Sequence, residues 1–382
     1  MVGTKRVAKV LCVAGARPNF PKIAPIVRAL GESEQYTPVL LHTGQHYDER
    51  LSKVFFDDLE IPHPDLDLGV GSGSHASQTA EIMRRFEEVL DREQPEAVLV
   101  VGDVNSTVAC ALVTSKYRLA KEFHCRDGGQ RRRPLLIHVE AGLRSFDEDM
   151  PEEINRRVTD ALSDLLLVSD PAVLENLRKE GIPPDRVRYV GNVMIDSLLR
   201  AKSRAMKSRI LDELGLQPNG YGLLTLHRPS NVDDADQLRH LIAVLTEIAT
   251  DQPIVFPVHP RTASRLAELN IELSPPHWRT CEPLGYLDFL RLMVDARVVL
   301  SDSGGIQEET TVLGVRCLTL RDNTERPVTL TEGTNTLAGT RRETILPAFR
   351  RAIGTPPSGR VPHLWDGTAA DRVRAALDQL FR

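Results

Sequence analysis

Ala296-Arg297-Val298-Val299-Leu300-Ser301-Asp302-Ser303-Gly304-Gly305-Ile306-Gln307-Glu308-Glu309 passes from a strand pattern into a helical one through a single tight turn. Ala296 to Leu300 is a short apolar run of the kind buried in a sheet, and Ile306 to Leu313 has helical spacing. Two adjacent glycines at such a turn let the backbone approach a ligand closely. They also leave the first N–H groups of the helix facing an anion. Glu308 and Glu309 fall in the first helical turn, where the helix dipole favours carboxylates. One of them turned toward a ligand would suit a diphosphate carrying a polar sugar. The same residues also read as an ordinary strand-to-helix turn capped by Ser303.

Working outward, the strand-turn-helix unit recurs. Val7 to Ala14, Val39 to His42, Ala97 to Val101, Leu135 to Val139, Leu165 to Val168 and Val187 to Val190 read as strands. Helical patterns lie between them, such as His75 to Leu90 and Val104 to Leu119. The alternation predicts a parallel sheet covered on both faces. A polar helical stretch, Asp196 to Leu214, leads to Pro218-Asn219-Gly220, and the pattern restarts. Tyr221 to Leu226, Ile254 to Val258, Arg297 to Leu300 and Arg316 to Leu320 are the strands of the second series. The fold class expected is α/β, with two Rossmann-like parallel-sheet domains and an interdomain cleft. The expected bounds are 1–196, 197–366 and a last helix, 367–382, packing back on the first domain. Lys121 to Arg133 interrupts the series at the sheet end opposite the ligand side, so its three adjacent arginines are expected in a solvated loop.

The 382 residues suit two domains, and a net charge of −5 gives no reason to expect nucleic acid or an anionic membrane as partner. Five scattered cysteines, without CxxC or Cys/His metal spacing, read as reduced cytosolic thiols. No metal site is expected. The apolar run after Lys5, Arg6 and Lys9 is short and ends at Arg17-Pro18, which suits a core strand better than a signal peptide. No run approaches a membrane span, so a cytoplasmic location is expected.

Polar groups recur just past strand ends: Arg17, Gln45-His46, Asp103, Glu140, His227-Arg228, His259 and Ser301 to Gly305. Such clusters along sheet edges describe a ligand cleft. Arg17, Lys22, His227, Arg228 and the glycine turn can bind phosphate. Asp103, Glu140 and Glu152 can move protons. No GxGxxG follows the first strand and no Walker motif occurs, which argues against nicotinamide and ATP sites. Duller roles exist for each residue: a helix cap for Asp103, a turn carboxylate for Glu140, dipole partners for Glu152 and Glu153, structural roles for His46 and His259, ion pairs for Arg144 and Arg156.

Several motifs occur in a fixed order. They are Ala16-Arg17-Pro18 with Lys22, Gly102-Asp103, His138-Val139-Glu140-Ala141-Gly142-Leu143-Arg144 and Pro151-Glu152-Glu153-Ile154-Asn155-Arg156. Gly191-Asn192 with Ile195-Asp196, His227-Arg228, Ser301 to Glu309 and Arg321 to Pro327 follow. Together they resemble the non-hydrolysing UDP-N-acetylglucosamine 2-epimerase family. The resemblance implies a glycosyltransferase-B-like fold, an isomerase without a cofactor, a UDP-sugar substrate and a homodimer. It implies Asp103, Glu140, Glu152 and His227 as catalytic residues. It places Arg17, Lys22, Gln45, Arg144, Ser303, Gly304 and Gly305 on the substrate, Glu309 on the ribose and Phe289 against uracil. Phe289 also fits a core pattern with Leu287, Leu290 and Met293. There are departures: Asn19 stands where relatives often carry Glu, Pro229-Ser230 follow His227-Arg228, and Asp48 replaces a Gln linked to allosteric activation. A related UDP-2-acetamido sugar as substrate, or a glycosyltransferase of the same fold, remains an alternative.

Overall fold

The computed structural model describes residues 7–44, 58–126 and 128–381. It divides into two compact units, Met1–Leu199 with Leu364–Arg382, and Arg200–His363.

The first unit is built on a seven-stranded parallel sheet of order β3-β2-β1-β4-β7-β8-β9. Its strands are β1 (Ala8–Ala14), β2 (Tyr36–His42), β3 (Leu66–Asp67), β4 (Ala97–Val101), β7 (Leu135–Val139), β8 (Leu165–Val168) and β9 (Val187–Tyr189). Every residue of β4, β7 and β8 is buried, as expected of central strands that are apolar apart from His138 in β7. Val101 pairs with Val139, so the chain leaves these neighbouring strands at one level, into Gly102-Asp103 and Glu140. The last helix, Ala369–Asp378, belongs to this unit. The Asp196 carboxylate accepts from Ala369 N at 3.1 Å and Ala370 N at 2.7 Å, and thereby caps that helix. Trp365 Nε1 donates to Ser169 O at 2.8 Å.

The Lys121 to Arg133 segment is not simply a solvated loop. It contains an antiparallel hairpin, β5 (Phe123–His124) and β6 (Gln130–Arg131), and Cys125 bridges to Phe381. Arg133 donates to Asp164 at 2.6 Å, and Arg126 reaches the carbonyl of Asp378. Pairing with the carboxylate and with chain-terminal backbone is information that local composition does not carry.

The second unit has a six-stranded parallel sheet of order β12-β11-β10-β13-β14-β15. The strands are β10 (Gly222–Thr225), β11 (Ile254–Pro257), β12 (Trp278–Cys281), β13 (Val298–Ser301), β14 (Cys317–Thr319) and β15 (Asn335–Leu337). Edge strands β12 and β15 carry polar residues among few apolar ones, which is why periodicity misses them. Ser301 pairs with Thr225 on one side and Thr319 on the other. This register delivers His227-Arg228, Asp302 to Gly305 and Arg321 from three adjacent strand ends to one edge of the sheet. The polar stretch after Asp196 forms two helices, Val193–Ala205 and Ile210–Glu213, rather than one.

Candidate active site

In the first unit the acids sit on constrained turns. Gly102 has φ +70° and Glu140 has φ +68°, a conformation rare for a residue with a side chain. Glu140 is buried and forms an ion pair with Lys22, itself 7% exposed. Lys22, expected on a diphosphate, is thus engaged by a carboxylate. A Cβ on Gly102 would lie 3.2 Å from Asn19 Nδ2 and within contact of Glu140 and Lys22, and the left-handed φ already favours glycine there. Asn19 explains its departure from the usual Glu. Its Oδ1 accepts from Gly15 N at 3.0 Å and Ala16 N at 2.9 Å, while Nδ2 donates to Val101 O at 3.0 Å. A carboxylate would accept but not donate, and the tie to the end of β4 would be lost.

Asp103 does not cap the following helix, Asn105–Lys116, which has Val104 at its cap position and no side-chain cap. Instead Arg156 Nε donates to Asp103 Oδ2 at 2.9 Å, and Asn155 Nδ2 donates to the Asp103 carbonyl at 2.8 Å. Arg156 is in turn held by Glu153 at 2.5 Å, and Glu153 also accepts from Ser145 N and Ser145 Oγ. The two adjacent glutamates therefore part company. Glu153 is buried and structural, and Glu152 is exposed at the first turn of the helix Pro151–Leu162.

Arg144, which the resemblance places on the substrate, has a buried guanidinium engaged within the protein. Nε and Nη2 donate to Glu180, Nη2 also to Asp160 at 2.7 Å, and Nη1 to the Leu143 carbonyl at 2.6 Å. A buried guanidinium with two carboxylates is an ion-pair partner, and breaking such a pair to reach a ligand is costly. Arg17 opens the 3₁₀ turn Arg17–Asn19 after β1. Gln45 and His46 lie outside the described residues.

In the second unit the helix Gly304–Leu313 starts at the sheet edge with Ser303 at its cap position, and Ser303 makes no side-chain cap. The hydroxyl is therefore not spent as the simple turn reading requires. Asp302, fully buried, accepts from His227 N at 3.0 Å and Arg228 N at 2.8 Å, and its Oδ1 lies 3.0 Å from His227 Nδ1. Burial alone would raise the Asp302 carboxyl, but the His227 hydrogen bond and charge, with the two backbone N–H groups, hold it below its ordinary value. The His227 ring is thus oriented through Nδ1, with Nε2 as its outer nitrogen.

Around the same helix start stands a cluster of charged side chains. Glu325, 3% exposed, pairs with Arg326 at 2.8 Å, Arg321 at 3.0 Å and Arg228 at 3.5 Å. Burial would raise the Glu325 carboxyl, and the three guanidinium groups, Arg326 foremost, instead push it far below its ordinary range. Arg326 also pairs with the fully buried Glu308 at 3.0 Å. Arg321 is 5% exposed, and its Nη1 has no hydrogen-bond partner among the described residues. A Cβ on Gly304 would lie 2.8 Å from Glu325 Oε1, so the absence of a side chain is what lets the cluster close on the helix. Glu325 and Glu308 offset part of the charge of these three arginines, but Arg321 Nη1 is left without a partner among the described residues, and with His227 and the first N–H groups of the helix it can serve as an anion cradle. The signal for Arg321 and Arg326 was present in the Arg321 to Pro327 motif, but only the register of β13 and β14 shows that they face Gly304.

Further along this helix, Glu309 is 5% exposed and accepts from Tyr286 Oη at 2.8 Å. Burial, reinforced by Glu308, pushes the Glu309 carboxyl up to about 7 against the lowering pull of the Tyr286 hydrogen bond. Phe289 is half-buried on the helix Tyr286–Asp295, whose core face is formed by Leu290, Leu292 and Met293. The described residues contain no group of three or more metal-ligating side chains and no helix long and apolar enough to cross a membrane.

The family profile for UDP-N-acetylglucosamine 2-epimerase matches residues 28–378. A UDP-N-acetylglucosamine 2-epimerase of Methanocaldococcus jannaschii is 39% identical, with 96% of this chain and 97% of the relative covered. The chain belongs to the UDP-N-acetylglucosamine 2-epimerase family. This is an isomerase family, and the two parallel-sheet units are its fold. A solved structure of a Methanocaldococcus jannaschii UDP-GlcNAc 2-epimerase, in complex with UDP-GlcNAc and UDP, superposes with a TM-score of 0.86 at 38% identity, covering 97% of this chain and 99% of that one. A UDP-2,3-diacetamido-2,3-dideoxy-D-glucuronate 2-epimerase of Pseudomonas aeruginosa is 36% identical, with 97% of this chain and all of the relative covered. The epimerase family thus includes more than one UDP-2-acetamido sugar among relatives of similar identity.

Proposed function

We propose that this epimerase interconverts UDP-N-acetylglucosamine and UDP-N-acetylmannosamine by elimination and re-addition of UDP. The observation that carries the proposal is the anion cradle of the second unit, Arg228, Arg321, Arg326 and His227 around the start of the helix Gly304–Leu313. H-2 of the sugar is not adjacent to a carbonyl and is not acidic by itself. When the C1–O bond breaks, its electron pair leaves with the diphosphate, and positive charge at C1 acidifies H-2. A carboxylate removes that proton, the C–H pair becomes the C1–C2 double bond, and 2-acetamidoglucal and UDP remain bound. Re-addition of UDP at C1, with a proton delivered to the opposite face of C2, gives the epimer. Leaving-group charge is stabilised by preorganised cations and helix N–H groups.

In this reading the second unit binds UDP. Ser303, Gly304 and Gly305 hold the diphosphate, His227 assists through Nε2, Glu309 accepts from the ribose hydroxyls and Phe289 lies against uracil. The first unit supplies the proton-moving groups Asp103, Glu140 and Glu152, with Arg17 and Lys22 lending positive charge. Removal of water protects the bound glycal. The Pseudomonas aeruginosa relative favours a second reading, a different UDP-2-acetamido sugar handled by the same chemistry.

Incubation with UDP-GlcNAc in D2O, followed by proton NMR, tests both. UDP-ManNAc carrying deuterium at C2, with little free UDP, is the expected result. A folded protein that produces no exchange at C2 removes UDP-GlcNAc as substrate, and the diacetamido uronate is then assayed in the same way. Asp103→Asn is expected to abolish exchange while UDP binding stays within about tenfold, a difference of about 1.4 kcal/mol. Sustained turnover would take Asp103 out of the catalytic set.

A further inference from the structure

Beneath the acid-bearing turns of the first unit lies a buried polar chain that neither substrate binding nor proton transfer uses. His138, on β7, is fully buried. Its Nε2 is 2.9 Å from the Gly102 carbonyl oxygen and its Nδ1 is 2.6 Å from Asp160 Oδ1. A carbonyl can only accept, so Nε2 donates to Gly102. The other Asp160 oxygen accepts from Gly142 N at 3.0 Å and from Arg144 Nη2 at 2.7 Å, and Arg144 is anchored by Glu180. Burial alone would raise the Asp160 carboxyl, but the charge and hydrogen bond of His138, with Arg144, keep it below its ordinary value.

The placement is specific. Gly102 immediately precedes Asp103. Gly142 closes the turn that begins at Glu140 and itself has φ +82°. A Cβ on Gly142 would meet Val173 at 3.0 Å and Leu177 at 3.1 Å, so that turn has no slack on its other side. One carboxylate and one imidazole therefore tie the end of β4 to the end of β7 through backbone atoms beside two of the proposed acid/base residues.

We propose that His138 and Asp160 are positioning residues that set the placement of Asp103 relative to Glu140. The proposal rests on the epimerase reading, because only there do the two carboxylates have to address the same C2 carbon. Neither residue touches substrate. They act by holding the Gly102 carbonyl and the Gly142 amide, two groups that the backbone bonds from Gly102 N to the Val139 carbonyl and from Glu140 N to the Leu167 carbonyl do not engage. An error of about 1 Å in such placement costs on the order of 100-fold in rate.

The test uses His138→Gln, which keeps one side-chain donor, and Asp160→Asn, which keeps the acceptor toward Gly142 and Arg144 but not the charge. Each is incubated with UDP-GlcNAc in D2O beside the wild type, with the folded fraction measured by circular dichroism. Two quantities are read: kcat against KM, and the ratio of C2 deuterium in recovered substrate to C2 deuterium in product. Compared at equal conversion, that ratio does not depend on how much enzyme is folded. The expected result is a kcat about 100-fold lower, KM within threefold, and a deuterium ratio moved at least threefold. A loss of rate matching the folded fraction, with the ratio unchanged, overturns the proposal. So does a rise in KM with kcat retained, or failure of both variants to fold, since the pair would then be scaffold alone. If the wild type itself shows no exchange, the substrate reading has failed instead, and the comparison is repeated on the sugar that does exchange.

Discussion

Replacing Glu309 by Gln should make the epimerase more stable at alkaline pH while weakening its hold on UDP. The carboxyl is 5% exposed, beside the buried Glu308, and is pushed from its ordinary 4.5 to about 7. A pKa that is higher in the folded than in the unfolded chain means that folding favours the protonated acid. The associated stability is fully present below about pH 4.5 and is lost as pH rises through about 7. Each pKa unit corresponds to about 1.36 kcal/mol, so the full loss is of order 3 kcal/mol. A glutamine is neutral at every pH and still offers an oxygen to Tyr286 Oη, so it avoids this loss. For a cooperative unit of 150–250 residues about 1 kcal/mol shifts the melting temperature by roughly 2–4 °C. About 2.5 kcal/mol of this falls between pH 5 and pH 8.5, so the melting-temperature difference between Glu309→Gln and wild type, without ligand, should grow by roughly 5–10 °C over that interval. All other titrating groups are common to both proteins and cancel. A difference that stays constant or shrinks with pH would refute the burial argument. In the same pH series, wild-type affinity for UDP should fall below about pH 7, because an ionised Glu309 is the better acceptor for ribose hydroxyls. The variant's affinity should be lower and should lack the part of this pH dependence that Glu309 contributes.

Two further substitutions probe different links. Gly304→Ala would place a Cβ 2.8 Å from Glu325 Oε1 and 3.1 Å from Arg326 Nη1, so the arginine cluster must shift; UDP affinity by calorimetry should fall about tenfold, roughly 1.4 kcal/mol, and an unchanged affinity would remove the cluster from the diphosphate site. Gly191→Ala would place a Cβ 2.1 Å from the Leu364 carbonyl at a residue with φ +84°, which should cost about 1–3 kcal/mol and loosen the C-terminal segment; wild-type resistance of that segment to limited proteolysis in the variant would contradict this.

The residues of the candidate site are partly legible in the sequence. Asp103, Glu140, His227 and Ser303 to Gly305 all follow apolar strands directly, and the C-terminal edge of a parallel sheet is where such residues meet. For Arg144 a motif position says nothing about where five N–H groups are engaged; the proximity of Asp160 and Glu180 shows that. Glu152 and Glu153 are neighbours in a helix start and chemically identical, so nothing local separates an exposed acid from one locked to Ser145 and Arg156. The Lys121 to Arg133 stretch looked like a loop because its partners, Asp164 and the end of the chain, lie outside it.

By itself the sequence determined the α/β class, the restart into a second sheet and the order of the family motifs. Each depends on local periodicity and composition, which a strand or a helix carries within its own few residues. The tertiary structure decided which side chains share a charge. Register placed Arg321 and Arg326 against Gly304, and aligned Val101 with Val139 so that Asp103 and Glu140 emerge together. It also chose, among several arginines of equal chemistry, which ones to bury in ion pairs. Burial and pairing depend on residues far apart in the chain, and their energies exist only once those residues are brought within a few ångströms in a medium that excludes water.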